Sequence, residues 1–283
     1  MPRYKIIIPC LLFMMGLFSV HSGAAAKAPS VSVSIKPIHS LVSEIMNGVS
    51  VPSLIVKGSR SPHTYSMKPS DARGLSRSDV IIWVGPGLEM FLQKPLMALS
   101  EKSRIVTLVP EPAQDPHQWL SPVLAVSIVD RVLMALIEAD PDHGKTYKSN
   151  AARLKVRLDA LHAEGNRQLR PLGQKPFLVF HDAWGHFATA FGLSISGTVA
   201  LNPERPPGAN GISAIRRLIK EREVRCLFRE PQFASPLLAT VMEGQDQMKE
   251  LELDPLGSAL APGADLYFQM MENNIAAVTA CLR

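Results

Sequence analysis

The chain has 283 residues, of which 46% are hydrophobic and 19% charged, and its formal net charge at pH 7 is +5. This length and composition support one large or two medium domains with sizeable cores. The small, scattered basic excess excludes the dense cationic surface of a nucleic-acid-binding protein. After the extreme N-terminus, no apolar run is long enough for a transmembrane helix.

The first 26 residues have the pattern of a secretory signal peptide. Arg3 and Lys5 precede the apolar run IIIPCLLFMMGLFSV, and the small residues GAAA end the segment at Ala26. Removal of residues 1–26 leaves 28 basic and 25 acidic residues, a net charge of +3. We therefore expect export to the periplasm. Because Cys10 lies inside the apolar run with no small residues before it, we expect no lipid anchor there.

Beyond this leader, short β-branched runs alternate with longer amphipathic segments. The predicted strands lie in VSVSI, SLIVKG, VIIWVG and RIVTLV, and later in FLVFH, LSISG, VRCLFRE and ELELD. Helical patterns lie between them, for example HSLVSEIMNG, PGLEMFLQKPLMAL and GISAIRRLIKERE. Alternation of this kind predicts an α/β fold in which helices cover parallel sheets.

The strand–helix pattern occurs twice, on either side of a long helical segment. Residues 142–170 contain no proline, and their leucines keep helical spacing. A helix of about 28 residues would be about 42 Å long, enough to run past two small lobes. After the signal peptide, we predict an N-terminal α/β lobe over 27–140, a rigid linking helix over 141–171 and a C-terminal α/β lobe over 172–283.

Several common enzyme motifs are incomplete. The segment HGKTY resembles the end of a phosphate-binding loop, but the glycine required five positions before Gly144 is Ala139. The segment GPGLEM lacks the third glycine of a dinucleotide fingerprint, and neither H-E-x-x-H nor G-x-S-x-G occurs. These sequences count against common hydrolases and nucleotide-dependent enzymes.

Three histidines and one aspartate follow predicted strands: His63, His117, His181 and Asp254. In open α/β sheets, ligands bind outside the carboxyl ends of the strands, so these side chains could converge across one cleft. Three imidazoles and one carboxylate suit tetrahedral zinc. The alternative is that they are unrelated loop residues in contact with solvent.

Other polar candidates receive structural interpretations. We expect a structural or supporting role for His39, and solvent exposure for His143 and His162 near the long helix. His186 follows His181 by five residues, a poor spacing for one helical face. Glu230 ends a strand, where it could stabilise a helix start or form a hydrogen bond near the cleft.

Two cysteines remain once the leader is removed, Cys226 and Cys281. An even pair in an exported protein favours a disulfide, although two buried thiols are the alternative. Closing a loop of about 55 residues would stabilise the fold by about 4 kcal/mol.

The chain resembles the zinc-uptake solute-binding proteins of bacterial metal ABC transporters, the ZnuA type. The resemblance lies in segments that occur in order along nearly the whole chain after the leader: SIKPIHSLVSEIMNGV, SPHTYSMKPSDARGLSRSDVIIWVGPGLEMFLQKPL, HQWLSP, FHDAWGHFATAFGL, REPQF and LDPLG. It implies two α/β lobes joined by a rigid helix with one metal between them. It also implies a protein, here expected to be monomeric, that delivers the metal to a membrane permease driven by a cytoplasmic ATPase.

The same resemblance implies roles for individual residues. His63, His117 and His181 would be the imidazole ligands of Zn²⁺, and Asp254 would be the carboxylate ligand or lie beside a water that replaces it. Cys226 and Cys281 match paired cysteines of this type.

The sequence departs from the family pattern at two places. Many zinc-type members carry a long His- and acid-rich loop before the second ligand, whereas VPEPAQDPHQWL is short and contains only His117. Some members have a glutamate before the first histidine, where this chain has Pro62. That residue cannot be a ligand, so the fourth position falls to Asp254 or water.

The ligand types favour zinc among the possible metals. Manganese- and iron-type relatives usually have a carboxylate at the third position, where this chain has His181, and imidazole in place of a hard oxygen shifts preference toward zinc. A manganese- or iron-binding protein of the same family is the first alternative. A zinc hydrolase is a second, because three histidines with an open position can activate water. A surface adhesin has little support.

Overall fold

The computed structural model describes Pro2 and residues 27–109, 115–200, 207–233 and 236–283. Apart from Pro2, the predicted signal peptide over 1–26 lies outside the described residues. None of the described helices has the length and hydrophobicity needed to cross a bilayer.

The N-terminal sheet contains four parallel strands in the order β2-β1-β3-β4. Each strand falls in one of the predicted apolar runs: β1 (Val31–Val33), β2 (Ser53–Leu54), β3 (Val80–Trp83) and β4 (Arg104–Thr107). Every residue of β3 is buried, as expected for a central parallel strand that helices cover on both faces.

Helices α1 to α4 cover this sheet, and prolines define several of their starts. The helices are α1 (Lys36–Ile45), α2 (Pro69–Leu75), α3 (Met90–Leu99) and α4 (Pro122–Ala139). At the start of α4, Ser121 Oγ accepts a hydrogen bond from the backbone N–H of Leu124 at 3.3 Å, and Pro122 occupies the first helical position. Proline suits that position because its fixed φ is helical and its missing N–H would have no partner there.

The long helix predicted between the lobes is α5 (Gly144–Leu169), with 26 residues. Its length is about 39 Å at 1.5 Å per residue. Leu154, Leu158 and Leu161 are buried on one face, which confirms the helical spacing read from the sequence.

The C-terminal sheet repeats the topology of the first, with strand order β6-β5-β7-β8 and all pairs parallel. We refer to each sheet with its helices as a lobe. The elements are β5 (Phe177–His181), α6 (Gly185–Phe191), β6 (Ile195–Ala200), α7 (Ala209–Glu221), β7 (Cys226–Arg229), α8 (Pro236–Met242), β8 (Lys249–Glu252) and α9 (Leu266–Leu282). The α/β fold with two parallel sheets and a long helix is thereby confirmed.

The two lobes share one continuous hydrophobic core. Buried side chains of β1, α5, β5 and α9 belong to the same cluster, for example Val33, Leu154, Phe177 and Tyr267. Polar contacts reinforce it: the buried ammonium group of Lys36, at the start of α1, donates to the backbone carbonyls of Gly257, Ser258 and Leu260 at 2.8–3.2 Å. The lobes are therefore held together by contacts that involve no metal.

A disulfide joins Cys226, the first residue of β7, to Cys281 in the last turn of α9. Both residues are buried. The predicted pairing is therefore present, and it fastens the C-terminal helix to the amino end of the second sheet.

Candidate metal centre

His63 lies in the loop that follows β2, beside a proline that restricts the backbone. Ser61 and Pro62 are buried, and the backbone N–H of His63 donates to Ser61 Oγ at 3.3 Å. Pro62 fixes its own φ and limits the conformation of the residue before it, so the loop holds the imidazole in place in advance. The Nε2 atom of His63 is buried and has no hydrogen-bond partner among the described residues.

His117 lies between β4 and α4, where Gln118–Leu120 form a short 3₁₀ turn. Its ring is buried, and Asp115 Oδ1 accepts hydrogen bonds from the backbone N–H at 2.9 Å and from Nδ1 at 2.7 Å. With the proton on Nδ1, the lone pair is on Nε2. Asp115 therefore sets both the tautomer and the orientation of this imidazole.

His181 is the last residue of β5 and is also buried. Its Nδ1 donates to Glu230 Oε1 at 2.7 Å, and the indole N–H of Trp184 donates to the same oxygen at 3.0 Å. The Nε2 atom of His181 is buried without a partner in the described part of the chain. A carboxylate on one ring nitrogen with the other free is the arrangement found in histidines that bind metals.

The three imidazoles meet at one point between the lobes. Their ring centroids are 5.4–5.8 Å apart, and one nitrogen from each ring lies within 4.8 Å of the other two. Zinc–nitrogen bonds of about 2.0–2.1 Å in a tetrahedron place two nitrogens about 3.4 Å apart. Small side-chain movements would therefore let His63, His117 and His181 bind one ion together.

The space between the rings is small. Its volume is about 10 Å³, close to the minimum that holds one water molecule. It is lined by Ser61, Pro62, His63, Leu88, His117, Trp119, His181, Glu230, Gln232, Phe233, Pro255 and Leu256. A small cavity at the point where three imidazoles meet suits a metal ion.

Asp254, the predicted fourth ligand, lies just after β8 but outside this group. Its carboxylate accepts hydrogen bonds from the backbone N–H of Leu256 at 3.0 Å, from the backbone N–H of Ser258, and from Gln232 Nε2 at 2.8 Å. These contacts shape the loop that places Pro255 and Leu256 against the cavity. The geometry gives no support for Asp254 as a direct ligand, because its oxygens are occupied by the loop.

Several histidines have contacts that the sequence did not indicate. His39 is buried and its Nε2 bonds the carbonyl of Pro52 at 2.9 Å, which agrees with a structural role. His143 and His162 are half-buried, contrary to the expected solvent exposure: Nδ1 of His143 bonds Asp140, and Nε2 of His162 lies 3.0 Å from the carbonyl of Ala190. His186, which the sequence did not favour as a ligand, contacts Asp115 of the N-terminal lobe.

Asp115 and Gln232 were not among the residues predicted from the sequence, and Glu230 had little weight. A signal for Asp115 was available, since the pattern D-x-H lets an aspartate accept both the backbone N–H and the ring N–H of the histidine two positions on. Glu230 and Gln232 had no comparable signal, because their contacts with His181 and Asp254 depend on how neighbouring strand ends meet.

Burial disfavours protonation of two of the clustered rings, His63 and His117. Burial, together with the nearby imidazoles of His117 and His181, lowers the pKa of His63 to about 3. Burial also lowers the pKa of His117, although the hydrogen bond to Asp115 opposes that change. Both rings are therefore neutral at pH 7, which is the state that binds a metal.

This low pKa predicts how stability depends on pH in the metal-free protein. The unfolded chain protonates His63 near pH 6.5, whereas the folded protein does so only near pH 3, so stability falls as pH decreases below about 6.5. With a chelator present, wild-type protein should lose more free energy of unfolding between about pH 7.5 and pH 5 than His63→Gln, as measured by urea denaturation.

The paired measurement cancels the titrating groups that lie away from His63. Buried Glu89, for example, has its pKa raised by burial to about 7 and opposes the histidine effect, but it is present in both proteins. Equal losses in the two proteins would contradict the prediction.

The amino-acid sequence is similar to zinc-uptake proteins over most of its length. Residues 31–281 match the family model described as ZnuA, zinc-uptake complex component A periplasmic. The chain is 35% identical to the high-affinity zinc uptake system protein ZnuA of Brucella abortus strain 2308, and the alignment covers 92% of this chain and 94% of that protein. The protein of the same name from Paracoccus denitrificans strain Pd 1222 is 29% identical, with coverage of 92% and 93%.

The fold is also similar to that of solved structures. A crystal structure of ZnuA superposes with a TM-score of 0.80 at 26% sequence identity, covering 90% of this chain and 100% of the other.

Proposed function

This chain belongs to the ZnuA family of periplasmic zinc-uptake components, and from that membership we propose that it captures Zn²⁺ with His63, His117 and His181 and supplies it to a high-affinity uptake system. The observation that carries the proposal is the convergence of three imidazole nitrogens, two from the N-terminal lobe and one from the C-terminal lobe, within 4.8 Å of one another. The bound ion would thus link the two lobes across the cleft.

The chemistry of the site favours zinc over harder divalent ions. Manganese prefers carboxylate, carbonyl and water oxygens, whereas neutral imidazole suits zinc, copper, iron and nickel. Two of the rings are held by carboxylates, His117 by Asp115 and His181 by Glu230, which orient the rings and increase their basicity as ligands.

A water molecule fills the fourth position of the ion in this proposal. Asp254 would have to break its bonds to the loop backbone in order to reach the ion. Glu230 Oε2 and Gln232 Oε1 belong to residues that line the cavity, and both atoms are buried without a partner among the described residues. They are candidate acceptors for the hydrogens of such a water.

We infer the location and the partners of the protein from its family and its sequence. The chain would be exported through the signal peptide over 1–26, act in the periplasm as a monomer, and deliver Zn²⁺ to the membrane permease of an ABC transporter with a cytoplasmic ATPase. The two lobes would correspond to 27–140 and 172–283, with the helix over 141–171 between them. The role is binding and delivery, in keeping with a family of solute-binding proteins; the small cavity does not favour hydrolysis.

Calorimetry on the metal-free mature protein tests this function. We expect one Zn²⁺ per chain, bound at least tenfold more tightly than Mn²⁺, because imidazole discriminates against the harder ion. Elemental analysis of the protein purified from cells should find zinc. Equal or tighter binding of Mn²⁺ would overturn the zinc assignment, and the absence of any binding would overturn the site.

A further inference from the structure

A contact across the mouth of the cleft joins the loop of His117 to helix α6. His186 lies in the first turn of α6, in the C-terminal lobe. Its Nε2 donates to the backbone carbonyl of Asp115 at 3.0 Å and lies 3.7 Å from Asp115 Oδ2. We refer to this pair as the Asp115–His186 contact.

The contact leads directly to a proposed ligand. The other carboxylate oxygen of Asp115 accepts both hydrogen bonds from His117, so the residue held by α6 is the one that orients the imidazole. The loop lies very close to the start of α6: a Cβ atom added at Gly185 would be 3.2 Å from Asp115 Oδ2. A change at His186 can therefore alter the position of His117 without touching the ion.

A second contact holds the other side of His117, and the two differ in burial. The indole N–H of Trp119 donates to the carbonyl of Pro255 at 2.8 Å, and Trp119 is 1% exposed. The side chains of His186 and Asp115 are 27% and 24% exposed. Water can replace a partner in the exposed contact at little free-energy cost, whereas the buried one has no such substitute. The Asp115–His186 contact is therefore the one that can open.

We propose that His186 is a positioning residue for metal retention: by fastening Asp115 to α6, it keeps His117 on the bound ion and slows release. The proposal rests on the function proposed above. When the contact opens, the loop of His117 moves away from the C-terminal lobe, and the ion loses one of its three imidazoles while the lobes stay packed.

Zinc release from the loaded mature protein tests this role. Excess chelator is mixed with zinc-loaded protein, and the release rate is followed by stopped-flow absorbance. His186→Phe keeps the ring volume but removes the donor, and we expect release to accelerate about threefold to tenfold, less than the 10–100-fold typical of a residue bonded directly to a ligand. His186→Gln, which can place an N–H near the Nε2 position, should restore slow release.

A matched variant separates positioning from general loosening of α6. His162 also lies in hydrogen-bond range of a backbone carbonyl of this helix, through Nε2 and Ala190, but on the side of α5. His162→Phe should leave the release rate unchanged, and the thermal midpoint of metal-free His186→Phe should equal that of wild type. The proposal is overturned if His186→Phe releases zinc at the wild-type rate, or if His162→Phe accelerates release equally. Failure of the wild-type protein to retain zinc would instead overturn the proposed function.

Discussion

Zinc affinity is expected to fall by about 10²–10³-fold when His117 is replaced by alanine. Structural zinc sites bind with about 10–16 kcal/mol over four ligands, so one ligand contributes about 2.5–4 kcal/mol. The substitution also removes the hydrogen bond from the imidazole Nδ1 to the half-buried carboxylate of Asp115, while the bond from the backbone N–H of residue 117 can remain. Competition against a chelator of known affinity measures the change.

His143→Ala is the matched control. This residue also bonds an aspartate through Nδ1, at 2.8 Å from Asp140, but it lies at the start of α5 and outside the imidazole cluster. Its removal should leave zinc affinity unchanged. A similar loss in both variants would mean that the effect of His117→Ala comes from damage to the fold.

The variant Asp254→Asn, measured in the same assay, tests whether Asp254 is the fourth ligand of the ion. If Asp254 supports only its loop, the loss should not exceed about tenfold, at the low end for groups that act through a ligand. A loss as large as that of His117→Ala would show that the carboxylate binds the ion directly, the first of the two alternatives left open by the sequence.

The double substitution Cys226→Ser with Cys281→Ser is expected to lower the free energy of unfolding by about 4 kcal/mol. The disulfide closes a loop with a sequence separation of 55 residues, and the chain-entropy model gives this value for such a loop. For a protein of this size, the thermal midpoint should fall by about 10 °C. Replacing both cysteines avoids a lone thiol, and calorimetry of the metal-free protein measures the shift.

Zinc affinity should stay within about twofold of wild type in this variant. Cys226 is the first residue of β7, at the amino ends of the strands, whereas the imidazoles lie at or just beyond the carboxyl ends of strands. Wild-type protein treated with a reductant should match the variant, and the variant should not respond to the reductant. A large loss of zinc affinity would show that the bond also maintains the site.

The positions of the central strands could be predicted because central strands of parallel sheets are buried on both faces. VIIW and FLVFH are continuous apolar runs for that reason, and they became β3 and β5. The start of α4 was equally predictable, since Ser121 and Pro122 have the residue types that begin a helix. The carboxyl ends of β2, β4 and β5, with the loops that follow them, brought three of the four proposed ligands together.

The position of Asp254, the proposed fourth ligand, could not be predicted in this way. A strand end brings a residue to the cleft, but the following loop decides what the side chain contacts. Asp254 is followed by a turn in which the N–H of Leu256 bonds its carboxylate, a local pattern typical of aspartate. Glu230 received less weight, yet it bonds His181, because β7 lies next to β5 in the sheet.

The three hydrogen bonds from Lys36 in the N-terminal lobe to backbone carbonyls of the C-terminal lobe have a consequence for transport. An ammonium group held in this way fixes the two halves of the molecule whether or not an ion is present. Empty and filled carriers would then have nearly the same outline, and a receptor could tell them apart only by differences in the loops around the ion. An empty carrier would compete with a filled one for the same docking surface, so the flux of metal would depend on the filled fraction as well as on the total amount of carrier.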